Sequence, residues 1–188
     1  MSMSNPLLES RPEAGVDLVK AFVNTAELEE HADHLASVQQ ARDWLQELDL
    51  MGEEPLSESG RLRLVEVREA LRALIGTGHG GRIGAESLAV LDGAGRTARL
   101  TLVFSREGSA SLQPDATGVD RALGRIIGAV YTAMIDGTWS RLKTCENQEC
   151  RWAFHDQSKN HSAKWCSMQS CGNRMKARAY RARQEADN

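Results

Sequence analysis

The chain has 188 residues, 41% hydrophobic and 26% charged, enough for one moderate core and a small appendage. No stretch approaches the length of a membrane span, and Met1 to Arg11 is polar and broken by proline, which argues against a signal peptide and predicts a cytoplasmic protein without a membrane partner. The formal net charge of -3 conceals two poles: residues 1–140 carry thirteen Lys/Arg against twenty-one Asp/Glu, while residues 141–183 carry ten against three.

From Gly15 to about Ala26, the run Val16, Leu18, Val19, Phe22, Val23 fits a short buried helix. A polar bend with His31, Asp33 and His34 follows; it reads as a solvated turn before it reads as a metal site. Ser37 and Gln40 form a capping pair ahead of Val38, Ala41, Trp44, Leu45 and Leu48, predicting a helix over 38–48. Met51 to Ser59 is a loop. Leu64, Val67, Leu71 and Leu74 then keep the helical period up to the glycine cluster 76–84. Within it, Gly76-x-Gly78-x-x-Gly81 has dinucleotide-site spacing but follows a helix and not a strand, so a loop is expected. Short apolar runs at Leu88–Leu91 and Leu100–Phe104, separated by Gly93, Gly95 and Gly108, predict two or three antiparallel strands. After Pro114, the residues Val119, Leu123, Ile126, Ile127, Val130 and Met134 recur as one face of a strongly amphipathic helix.

All four cysteines stand in the last quarter, as Cys145, Cys150, Cys166 and Cys171, spaced C-x4-C-x15-C-x4-C. Two close pairs joined by a short connector suit tetrahedral zinc; the competing readings are two disulfides or four unrelated core thiols. In a reducing cytoplasm the metal reading leads, and four thiolates with no open position make one zinc ion structural. Trp152, Phe154 and Trp165 lie between the pairs and are expected to pack around the metal. After Cys171 a run of helix formers predicts a terminal helix on which Met175, Ala179 and Ala182 face inward with Cys171. Lys164, Arg174, Lys176, Arg178, Arg181 and Arg183 are the candidate nucleic-acid contacts, of the phosphate-backbone kind. His155, Asn160 and His161 invite a nuclease reading, but they fall within seven positions and not across a hairpin and helix, so no catalytic residue is assigned and no enzyme is expected.

Trp165-Cys166-Ser167-Met168, then Cys171-Gly172-Asn173-Arg174 and the basic tail to Arg183, resemble the CGNR zinc finger. Phe22-Val23-Asn24-Thr25 resembles the opening of the ABATE domain, which precedes this finger in bacterial proteins described as stress-induced transcription regulators. The resemblance implies a zinc-bound, DNA-binding finger attached to a regulatory domain. His155 departs from the expected apolar stretch after the second cysteine without touching the ligand set.

The fold expected is α+β: a mostly helical domain with a small antiparallel sheet over 1–140, then a treble-clef-like four-cysteine zinc module with a basic helix over 141–188. The expected partners are DNA, a second copy of the chain joined through the 119–134 helix or the strand region, and a small-molecule effector on the first domain. A zinc-stabilised module for protein or RNA, without sequence-specific DNA recognition, is the alternative.

Overall fold

The computed structural model describes residues 15–78 and 81–186, so Met1 to Arg11, His79 and Gly80 lie outside the described residues. The elements in chain order are α1 (Val16–Val23), β1 (Ala26–Glu27), β2 (Ala32–Asp33), α2 (Val38–Glu47), α3 (Glu58–Gly76) and α4 (Ala85–Thr97). They continue with β3 (Leu100–Phe104), β4 (Ala110–Pro114), α5 (Gly118–Ile135), β5 (Leu142–Thr144), β6 (Ala153–His155) and α6 (Asn173–Ala186). The strands form three separate antiparallel pairs, β1 with β2, β3 with β4 and β5 with β6. No helix among the described residues is long and apolar enough to cross a membrane.

The core is where the periodicities place it. Leu18, Val19, Phe22 and Val23 of α1 meet Trp44 and Leu45 of α2, Leu64, Val67 and Leu71 of α3, and Leu123 and Ile126 of α5 in one apolar cluster. Phe22 and Trp44 sit ring to ring, 5.7 Å between centroids. α2 starts as its sequence demands, with the Ser37 hydroxyl accepting from the Gln40 amide. Ser57 does the same for α3 through the Gly60 amide.

Two expectations fail locally. Leu88–Leu91 is not a strand but part of α4, and Gly93 and Gly95 sit inside that helix and mark no turns. The residues that decide it are Ala94 and Ala98, both buried, one helical turn apart. Small residues bring the elements so close that a Cβ on Gly124 of α5 would lie 2.7 Å from the Ala98 Cβ and 2.6 Å from the Pro114 Cβ. Packing against α3 and α5 thus overrides the strand-like composition. Met134 also leaves the expected stripe and is exposed near the end of α5.

The bend before α2 is structural. Asp33 accepts from the Leu35 amide (2.7 Å) and from the buried Arg68 guanidinium (2.6 Å), and the pair β1–β2 closes around Glu29 and Glu30. Arg68 and Arg72 share the buried face of α3, a placement that their charge conceals in sequence.

Candidate metal centre and basic helix

The finger begins as a hairpin. β5 and β6 pair in the register Leu142↔His155, Lys143↔Phe154, Thr144↔Ala153, and the Cys145 amide donates to the Trp152 carbonyl (2.9 Å) to carry the ladder to the first ligand pair. Buried Asn147 shapes the turn between Cys145 and Cys150. Its carbonyl accepts from the Cys150 and Arg151 amides, both at 2.9 Å, its side-chain oxygen accepts from the Glu149 amide, and its side-chain amide donates to the Cys171 sulfur at 3.7 Å. Metal sites are held by such outer hydrogen bonds as much as by the ligands.

Buried Asp156 holds the connector. Its carboxylate accepts from the Lys143 ammonium (2.6 Å) and from the Ser158 (2.8 Å) and Ala163 (3.0 Å) amides. Burial alone would raise this carboxyl, but those donors outweigh it and hold it well below the usual carboxylate range. Lys143 also donates to the carbonyls of His161 and Ala163, so one ion pair ties β5 to the loop that returns to Cys166. Asp156 had no role assigned from sequence, although its carboxylate and the Ser158 amide form an Asx turn, a local pattern.

Of the second ligand pair, Cys166 precedes and Cys171 sits on a π-helical turn, Met168–Gly172, that runs directly into α6. Gly172 is closely packed: a Cβ there would lie 2.8 Å from the Met168 sulfur and 3.2 Å from the Trp165 ring, so the Met168 side chain would have to move. The Asn173 side chain donates to the Gln169 carbonyl at 3.2 Å, and Arg174 pairs with Glu29 from the β1–β2 turn. Each residue of the Cys-Gly-Asn-Arg tetrapeptide therefore has its own role in joining the metal cluster, the turn, the helix and the N-terminal part.

The four sulfurs come together, all within 4.8 Å of one another. Cys150–Cys166 and Cys166–Cys171 are each separated by 3.7 Å. The edge of a sulfur tetrahedron around zinc at about 2.3 Å is about 3.8 Å, so the cluster has the size that the ion needs. The sulfurs are unbonded, which sets aside the disulfide reading, and they share one cluster, which sets aside unrelated core thiols. Burial pushes the Cys150 thiol up to about 12 and raises Cys166 further, whereas hydrogen bonds from Asn147 and the neighbouring thiols overcome burial at Cys171 and lower it. A cation among them stabilises thiolates that burial disfavours at Cys150 and Cys166, and the four cysteines can hold one zinc ion as a structural centre. No histidine among the described residues joins the group.

The aromatics divide. Trp152 and Trp165 pack on the cysteine cluster as expected, but Phe154 joins neither apolar cluster. The terminal helix departs more widely. Met175 is half-buried, and every described position from Lys176 to Glu185 is exposed, including Ala179 and Ala182, so no inward stripe exists there. The reason is length: the helix leaves the finger at Cys171 and after one turn has no surface left to pack on. Of the candidate contacts, Arg174 is paired with Glu29, Arg178 with Glu149 (2.6 Å) and Lys164 with Glu146 (3.6 Å). Arg183 donates to the Ala179 carbonyl, and Lys176, Arg181 and Arg183 have no ion pair among the described residues.

The finger is not tethered loosely. The Asn24 side-chain amide donates to the Ala153 carbonyl and its oxygen accepts from the Ala153 amide, both at 2.8 Å, so that Asn24 stands in for a neighbouring strand. Arg72, fully buried, donates to the carbonyls of Val23 (2.6 Å) and Arg151 (3.0 Å) while paired with Glu69. Leu142 and Ala153 belong to the main core. Neither bridging residue was assigned a role from sequence, although Asn24 lies in the Phe-Val-Asn-Thr motif.

A metal-centred finger carrying a bare basic helix, packed on a helical domain, defines the class. Residues 141–184 match the CGNR zinc finger, and residues 17–137 match the ABATE family, described as "Putative stress-induced transcription regulator". The second match spans more than half of the chain, which therefore belongs to the ABATE family and carries a CGNR zinc finger. No curated protein matches the chain at a significant level.

Proposed function

We propose that this protein is a cytoplasmic transcription regulator that binds duplex DNA through α6, with the zinc centre fixing the base of that helix. The observation that carries the reading is the state of α6: exposed on all sides beyond Met175, basic, and rooted in a metal ligand at its start. A polar helix with no packed face gains little stability from its own protein, and a phosphate backbone supplies the partner that its charges lack. One short helix gives limited contact, so two copies of the chain on one site are part of the proposal, with the 1–140 domain supplying assembly and effector response to stress.

The test is a fluorescence-anisotropy titration of the zinc-loaded protein against random duplex DNA and against RNA at two salt concentrations. A variant with Lys176, Arg181 and Arg183 all changed to Ala is run alongside. Binding of duplex that weakens steeply with salt, with a log–log slope reduced by about 3 in the variant at roughly one unit per lost phosphate contact, supports the reading. Absence of duplex binding at low salt refutes it and leaves the protein-interaction module; a clear preference for RNA moves the assignment to RNA.

A further inference from the structure

A cleft of about 720 Å³ lies where the end of α3 meets the finger, a size in the range of small-molecule sites. Four cationic residues border it, the fully buried Arg72 and the accessible Lys143, Arg151 and Lys164, against a single carboxylate, Glu146. Three of the four are answered: Arg72 by Glu69, Lys143 by Asp156 and Lys164 by Glu146. Arg151 is not. It is half-buried, and its guanidinium has no hydrogen bond or ion pair among the described residues.

The backbone under Arg151 is unusual in a way that fixes where this charge emerges. Its φ is 47°, in the left-handed region that residues with a Cβ seldom adopt. Two contacts hold it there: its amide donates to the Asn147 carbonyl, and its own carbonyl accepts from Arg72. Thr144 and Ser162 line the same cleft with hydroxyls that make no hydrogen bond among the described residues. An unpaired guanidinium whose stem leaves the backbone in a fixed direction, a second cation on an exposed stem at Lys164 and two neutral donors form a receptor for oxygen anions.

We infer that this cleft binds a small anionic ligand bearing a phosphate or carboxylate group, gripped by Arg151 with Lys164 as the second cation. The site touches both α3 and the finger, so a bound ligand loads both parts at once. As the effector site of the regulator it rests on the function proposed above, but as an anion site it stands alone. No residue of α6 lines the cleft, and of the candidate nucleic-acid contacts it shares Lys164, so Arg151 is the residue that separates the two surfaces.

The test uses the zinc-loaded full chain, titrated by calorimetry with pyrophosphate and with citrate at constant ionic strength, as wild type, Arg151→Asn and Lys164→Gln. Asparagine tolerates the left-handed backbone while removing the charge. The expected result is saturable binding of one equivalent of at least one anion, weakened about tenfold or more by Arg151→Asn and less by Lys164→Gln. Whichever anion binds distinguishes phosphate from carboxylate, and Arg151→Asn leaves the duplex titration unchanged. No saturable binding of either anion by the wild type, or equal binding by wild type and both variants, overturns the inference. So does loss of duplex binding in Arg151→Asn without anion binding by the wild type, since the cleft is then a nucleic-acid surface. If Arg151→Asn fails to retain zinc, Lys164→Gln decides. Anion binding without duplex binding would leave the site standing and remove the regulator reading.

Discussion

Replacing Asn24 by Ala isolates the clamp between the helical domain and the finger. Asn24 and Ala153 are both buried and are bonded twice, at 2.8 Å each way, across 129 residues of chain. The substitution leaves the Ala153 amide and carbonyl without partners in a site closed to solvent, and each orphaned group costs about 1–3 kcal/mol. The expected loss is therefore about 2–5 kcal/mol, which for a chain of this size lowers Tm by roughly 5–15 °C. Asn24→Asp is expected to be no milder, because a carboxylate can accept from the Ala153 amide but repels its carbonyl. Thermal and urea unfolding of the zinc-loaded protein, followed by tryptophan fluorescence, measures the loss; Trp44 reports the core, and Trp152 and Trp165 report the finger. The finger is also expected to release zinc faster to a chelator. An Asn24→Ala variant within about 0.5 kcal/mol of wild type would refute the reasoning, since a surface position behaves that way.

Cys166→Ser is expected to abolish stoichiometric zinc, from one equivalent to near none by metal analysis, and to unfold the finger, because structural zinc supplies folding energy; full zinc content with unchanged unfolding would contradict this. Glu29→Gln releases Arg174 from its exposed ion pair and is expected to tighten duplex binding by a few-fold at most; an unchanged or weaker Kd would count against it. Asp156 is held below its ordinary range in the folded state, so its contribution is present above the unfolded carboxyl value of about 3.9 and is lost as pH falls below it. The stability gap between wild type and Asp156→Asn should thus be widest near pH 7 and close on titration below about pH 4; a gap that does not change with pH would dismiss the linkage.

Much of the fold was legible because its signals are local. The 3.6-residue stripes of α1, α2, α3 and α5 identify helices without reference to partners, and the Ser37 cap marks where α2 begins; α3 starts at Glu58 behind a Ser57 cap, inside the loop expected over 51–59. α4 was misread because Leu88–Leu91 is short and apolar, and only Ala94 and Ala98 nestling beside Gly124 settle its conformation. The inward stripe on α6 failed for the opposite reason: its spacing was sound, but no surface exists for it to meet.

The sequence by itself determined the metal cluster, the bipolar charge and the basic helix, because ligand spacing and charge runs are properties of neighbours along the chain. Only the tertiary structure decided that Asn24 and Arg72 clamp the finger, that Glu29 occupies Arg174, and that Arg151 is left without a partner beside a cleft. Those pairings join residues 79 to 145 positions apart, or depend on which acid reaches which base, and no local pattern encodes them. They follow from chain closure around the common core, which sets the finger against α1 and α3 and thereby selects which polar groups must satisfy one another out of water.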